Sequence, residues 1–180
     1  MTQSPDGGLS FRRATASDID RVREHVQGAY RGESGRKGWT NESDMLDGQR
    51  TDKRELQELI SSDNAQLWLV ERGQELLGTM VLKREAAGVV HLAMVAVRPD
   101  LQAQGIGRAL LAKAEQVVVE QGWGSRIEMT VIGQRSELVA WYERRGYRVT
   151  EERRDFPYGN TRFGLPMRPD LYFLVLVKDL

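Results

Sequence analysis

The 180-residue chain predicts an α+β fold, a mixed and largely antiparallel sheet of six to seven strands flanked by about four helices. Three observations carry this expectation. Seven short segments read as strands, at 9–14, 66–72, 75–84, 89–97, 126–132, 147–152 and 171–177. Between them lie segments with apolar residues at helical spacing. Gly73-Gln74 is a two-residue connection between two strand segments, so at least that pair is antiparallel.

The elements follow in order. Residues 9–14 form a short first strand. Ser17-Asp18-Ile19-Asp20 fits a helix N-cap with an acidic residue three positions on, opening a helix to about Gln27. Residues 28–51 are polar and rich in glycine, and a loop of that length usually has a task. A second helix covers Asp52–Ser61, with Leu56, Leu59 and Ile60 on one face. The hairpin 66–84 comes next. The near-continuous apolar run 89–97 predicts a central strand buried on both faces. Ile106, Leu110, Leu111, Ala114, Val117 and Val118 predict a strong helix that stops at Gly122. Ile127, Met129 and Val131 alternate as a strand should. A short helix over 135–145 ends at Gly146, and two last strands are joined by a loop at 155–170. Residues 1–8 read as a disordered start and 9–180 as a single domain.

Composition narrows the function. Lys plus Arg equals Asp plus Glu, at 26 each, so the basic excess that nucleic-acid binding needs is missing. With no cysteine and only His25 and His91 as histidines, neither a thiol nucleophile nor a metal site is expected. The N-terminal residues lack the basic and apolar parts of a signal peptide, and no apolar run approaches the roughly 20 residues of a membrane span. The expectation is a cytoplasmic protein with no membrane partner.

Residues 94–111 carry the binding chemistry. Gln102-Ala103-Gln104-Gly105-Ile106-Gly107 sits where a strand turns into a helix. A helix start leaves N–H groups without intrahelical partners and carries partial positive charge, so phosphates bind there. Glycine lets backbone and phosphate approach closely. Pro99 stiffens the exit from the strand. A dinucleotide fingerprint fits poorly, because its third glycine position is Leu110 and four strands precede the loop. A glycine turn that binds nothing is the other reading of this segment alone.

With these residues in view, the chain resembles the GNAT superfamily of N-acetyltransferases. Its signature Gln/Arg-x-x-Gly-x-Gly/Ala is matched by Gln102, Gly105 and Gly107, after an apolar strand with Val95, Val97 and Pro99. A second signature, a short helix ending aromatic-Tyr-x-x-x-Gly-aromatic, is matched by Trp141, Tyr142, Gly146 and Tyr147, about forty residues on. The stretch 135–147, with Phe156-Pro157 and Arg162-Phe163-Gly164, is similar to widespread bacterial members without an assigned acceptor. The resemblance implies the GNAT fold, with a sheet splayed at the strand near 91–97 and open after Val97. It implies acetyl-CoA as co-substrate and no metal. Met94, Val95 and Val97 would pair with pantetheine, and Gln102, Ala103, Gln104, Gly105, Ile106, Gly107 and Arg108 would hold the pyrophosphate. Many members carry Asn seven residues before the tyrosine, at a pantetheine contact; here that position is Arg135. Members are often dimers, which leaves a homodimer open.

The implied reaction moves an acetyl group to a primary amine of a small polar acceptor, by direct attack in a ternary complex. It needs a neutral amine, a stabilised oxyanion and a proton for the leaving thiolate. An alkyl ammonium has a pKa of about 10, so a base or a water chain is required. Tyr142 is the expected acid; its other reading is a core tyrosine on an amphipathic helix. His91 is a candidate base, where several members carry glutamate; its other reading is a partly buried strand histidine. His25 reads as a surface or packing residue. The Val95 N–H is the candidate oxyanion donor, since strand bulges free such groups in this superfamily. Tyr30, Arg31, Trp39, Glu42, Arg50, Tyr158 and Arg162 are the candidate acceptor residues. Glu42 suits an amine, and Arg31 or Arg50 a carboxylate; solvated surface charge is the competing reading of each. The alternative function is a non-catalytic acyl-CoA-binding or regulatory module on the same fold.

Overall fold

The computed structural model describes residues 8–31, 38, 42–161 and 164–180. Nine strands occur among them: β1 (Ser10–Arg13), β2 (Leu46–Asp47), β3 (Ala65–Arg72), β4 (Glu75–Arg84), β5 (Val89–Val97), β6 (Arg126–Ile132), β7 (Arg148–Asp155), β8 (Leu165–Pro166) and β9 (Tyr172–Asp179). The α-helices are α1 (Ile19–Tyr30), α2 (Lys53–Ser61), α3 (Ile106–Glu120) and α4 (Ser136–Glu143). Seven strands form one sheet in the order β1-β3-β4-β5-β6-β9-β7, and β2 pairs with β8 as a separate ribbon. Every neighbouring pair in the large sheet is antiparallel except β5 and β6.

That parallel pair is short. Its register covers only Val89↔Arg126, Val90↔Ile127 and His91↔Glu128, so the strands part after His91 rather than after Val97 as expected. β5 carries a second irregularity. Opposite β4 the register jumps from Thr79↔Ala96 to Val81↔Ala93, one residue more on β5 than on β4. Met94 sits in this bulge with φ of 48°. An extra residue reverses which face each side chain meets. Val90 and Leu92 pack in the core under α3 and α4, whereas Met94 and Ala96 pack in the core under α1 and α2. β5 is thus the central strand expected, with side chains packed into both cores; the more deeply buried residues alternate along it and change face at the bulge.

Other differences have local causes. The capping box that starts the first helical segment uses Thr15 and Asp18, two residues earlier than expected, and closes a 3-10 turn before α1. α1 continues to Tyr30, because Val26 and Ala29 are buried beneath it and outweigh the poor helix propensity of Gly28. Asp52 caps α2 by accepting from the Glu55 N–H at 2.7 Å. α4 is shorter than expected, β7 extends to Asp155, and β9 covers 172–179. The expected loops 28–51 and 155–170 each contain one strand of the β2–β8 ribbon. Of the expected disordered start, residues 1–7 lie outside the described residues.

The start of α1 is tied to the sheet edge by charge. Asp18 accepts from both Arg12 Nη atoms at 2.9 and 2.8 Å, from Arg21 at 3.0 Å and from the Thr15 N–H at 2.8 Å. Glu71 on β3 accepts from the same two arginines. The Arg12 hydrogen bonds outweigh burial and hold the Asp18 carboxyl well below the usual range. Its contribution to stability is therefore present above the unfolded pKa of about 4 and is lost as pH falls through the lower folded value. Asp18→Asn is expected to cost roughly 1–3 kcal/mol at neutral pH. In urea denaturation the gap between wild type and variant should close below about pH 4.

Candidate functional site

The parting of β5 and β6 leaves space on both sides of the bulge. On one side lies a cavity of about 480 Å³, bounded by β5, the loop into α3, and α4. The loop runs from a 3-10 turn at Pro99–Leu101 into Gly105, which caps α3 with φ of 83°. Ala103 is also left-handed, at φ of 68°. These turns direct the first N–H groups of α3, which have no intrahelical acceptors, toward the loop. Gln102, Ala103, Gly105, Gly107 and Arg108 line the cavity from this side.

From α4 come Leu138, Trp141 and Tyr142, with Arg144 and Arg145 just beyond it. A Cβ on Gly107 would stand 3.3 Å from the Trp141 ring, so a side chain there would press on the indole. Arg145 lies over the same ring at 3.7 Å and donates to the Trp141 carbonyl at 2.8 Å. Arg108, Arg144 and Arg145 make this cavity cationic, which suits phosphate.

On the other side lies a cavity of about 500 Å³. Its floor is the diverging part of β5 and β6, and Tyr30, Glu42, Arg50 and Phe156 are among its walls. The two cavities share Val95, Leu138 and Tyr142, and a small void of about 50 Å³ between them touches all three. The bulge backbone is fixed from α1 and β4. The Tyr30 hydroxyl donates to the Val95 carbonyl at 2.8 Å, and Thr79 donates to the Met94 carbonyl at 3.1 Å.

A buried charge cluster holds the far wall. Glu42 accepts from Arg31 at 2.9 Å through one oxygen and from Arg135 at 3.3 Å through the other. Burial alone would raise the Glu42 carboxyl, but Arg135, Arg50 and Arg31 together hold it below its ordinary value. Arg31 also donates to the carbonyls of Asp47 and Gln49, at 3.4 and 3.2 Å. The guanidinium of Arg50 lies over the Tyr30 ring at 5.1 Å.

Tyr142 is buried, and burial, reinforced by Tyr30, pushes its phenol up so that it stays protonated at neutral pH. His91 lines the larger cavity. Its Nδ1 lies 3.8 Å from Glu128, which also accepts from Arg154 at 2.9 Å. Burial pulls the His91 pKa down despite the Glu128 charge, so the ring is neutral at neutral pH. His25 is the packing residue: it is hydrogen-bonded to the Ala96 carbonyl at 3.0 Å, and burial lowers its pKa.

The expected site residues thus divide. Val97, Gln102, Ala103, Gly105, Gly107 and Arg108 line the first cavity. Ile106 is a core residue, and Gln104 is not among the residues lining either large cavity. Met94 and Arg135 line the second cavity, with His91, Tyr30, Arg31, Glu42 and Arg50. Tyr158 is outside both: its exposed ring pins the loop before β9, donating to the Arg168 carbonyl at 2.7 Å and accepting from the Leu171 N–H at 2.9 Å. Trp39 and Arg162 lie outside the described residues. Sequence reasoning missed Leu138, Trp141, Arg144 and Arg145 as cavity walls. The signal was present, because they flank Tyr142 in the second signature.

Comparison with known proteins agrees with this architecture. The profile of the acetyltransferase (GNAT) domain matches residues 38–159, more than half of the chain. This chain belongs to the GNAT acetyltransferase family. A mycothiol acetyltransferase from Beutenbergia cavernae is 34% identical over 87 residues, covering 47% of this chain and only 29% of that relative. The ribosomal-protein-S18-alanine N-acetyltransferase from Escherichia coli shares the fold with a TM-score of 0.68 at 14% identity, over 95% of this chain and 93% of that one. The PaiA N-acetyltransferase from Thermoplasma acidophilum, solved in complex with coenzyme A, aligns with a TM-score of 0.66 at 18% identity, over 96% of this chain and 99% of that one. Among the described residues no group of side chains is placed to hold a metal ion, and no helix is long and apolar enough to cross a membrane.

The charge cluster has a consequence for stability. Removing Glu42 leaves Arg31 and Arg135 buried beside one another without their shared carboxylate. Glu42→Ala is expected to cost about 3–5 kcal/mol, read as a lower urea midpoint.

Proposed function

We propose that a single domain spanning residues 9–180 transfers an acetyl group from acetyl-CoA to the primary amine of a small polar acceptor. The observation that carries this reading is the meeting of two cavities at Val95, Leu138 and Tyr142. One cavity is cationic and framed by a helix start, which suits the pyrophosphate of CoA. The other is walled by mixed charge and apolar surface, which suits a small amine.

In this reading the α3 amides and Arg108 hold the phosphates, joined by Arg144 and Arg145, and pantetheine runs along β5 toward Val95. The amine nitrogen attacks the thioester carbon while both substrates are bound. The Val95 N–H receives the developing oxyanion. The C–S bond breaks, and Tyr142 gives its proton to the sulfur. His91, neutral because it is buried, accepts the proton that the amine loses. Arg135 belongs with Glu42 on the acceptor side and takes no part in holding pantetheine.

Free thiol released from acetyl-CoA should rise above background hydrolysis with at least one amine among amino acids, polyamines, aminoglycosides and peptides. Tyr142→Phe is expected to lower kcat tenfold or more with nearly unchanged CoA affinity. Equal rates would remove Tyr142 from the chemistry and favour a module that binds acyl-CoA without turning it over.

The pH profile tests the base. His91 must be neutral to act, and its pKa lies below the ordinary value of about 6.5. An acid limb in kcat/KM should therefore end below about pH 6.5 and vanish, with lower rate, in His91→Gln. A limb that persists unchanged in the variant would assign it to another group.

A further inference from the structure

We infer that Arg50 is an anion-binding residue of the acceptor cavity, and that the acceptor is an amine bearing a carboxylate and an apolar body. The inference rests on the acetyl-transfer reading and deepens it. The cavity wall carries four cationic side chains, Arg31, Arg50, Lys83 and Arg135, against the two carboxylates of Glu42 and Glu55. Most of these are already committed. Arg31 and Arg135 share Glu42, Lys83 pairs with Glu85 at 3.7 Å, and Glu55 accepts from the Thr51 hydroxyl at 2.6 Å.

Arg50 differs from them. Its guanidinium stacks on Tyr30 and makes no hydrogen bond or ion pair with any described residue. Its backbone is nevertheless fixed, since the Arg50 N–H donates to Gln27 on α1 at 2.9 Å. The result is a guanidinium oriented by an aromatic face, half-buried in a concave site, with its donors available. A planar fork of that kind matches a carboxylate.

Glu42 interacts with it through charge alone, and both Glu42 oxygens already accept from Arg31 and Arg135. A polycationic acceptor would bring further positive charge into a wall that already has an excess. The rest of the wall, including Leu59, Val81, Met129 and Phe173, supplies apolar contact. The geometry thus favours an α-amino acid with an apolar side chain over a polyamine.

The test compares amines that differ chiefly by the carboxylate: L-phenylalanine against phenethylamine, L-leucine against isopentylamine, and spermidine as a polycation. With acetyl-CoA saturating, kcat/KM should be at least tenfold higher for each amino acid than for its decarboxylated partner. Arg50→Gln should raise KM for the amino acids tenfold or more, leave CoA affinity unchanged and erase the preference. Arg50→Lys should restore part of it. Equal or better turnover of the decarboxylated amines or spermidine by the wild type would overturn the anion site while leaving acetyl transfer standing. So would a preference for amino acids that survives in Arg50→Gln. Thiol release with none of these amines would overturn the anion site, and acetyl transfer falls with it only if aminoglycosides and peptides also release no thiol.

Discussion

One additional residue in β5 sets the geometry of everything around it. Without the bulge at Met94, Val90, Leu92, Met94 and Ala96 would all face the same core. With it, the first pair packs beneath α3 and the second beneath α1. The left-handed Met94 costs roughly 1–2 kcal/mol in backbone terms. The hydrogen bonds from Thr79 and Tyr30 to the Met94 and Val95 carbonyls offset it by giving these two bulge acceptors partners inside the protein. The parting of β5 from β6 begins only three residues earlier, so the two irregularities act together to open the sheet at one place.

Charge is distributed around that opening in two distinct ways. On the α3 side the positive groups are a helix start and arginines lining the cavity, an arrangement suited to an anion. On the α1 side the arginines are buried and cross-linked through one carboxylate, Glu42. Such a cluster is too costly to build for stability alone. It ties Arg31 and Arg135 together through Glu42 at the wall of that cavity.

Much of this was legible in the sequence, and the limits have physical causes. β4, β5 and β6 are legible with their observed boundaries, because Gly73-Gln74 and the strong apolar patterns of 89–97 and 126–132 mark them. The loop into α3 was legible from its glycines and from the helix start that follows them. The bulge was legible only through the resemblance, since an extra residue in an apolar run leaves no mark of its own in the pattern. The β2–β8 ribbon was missed for another reason: two-residue strands have no periodicity, and their partners are more than a hundred residues apart. Arg135 stands where many similar proteins carry Asn, and its length and charge take it to Glu42, a partner that no local pattern reveals because it lies 93 residues earlier. Tyr158 looked like a binding aromatic, but its hydroxyl is spent on the loop's own backbone.

The β2–β8 ribbon ties the segment that brings Glu42 and Arg50 to the second cavity to Leu165–Pro166, in the same connection between β7 and β9 whose Phe156 and Pro157 line that cavity. Met167 adds a backbone bond to the Met45 carbonyl at 2.8 Å, so the two segments are stitched beyond the ribbon itself. Neither can be lengthened or shortened alone without unpairing the other. A change in the shape of this cavity by loop exchange is therefore a paired change at two places far apart in the chain, whereas the loop into α3 lies between two consecutive elements and can stay as it is.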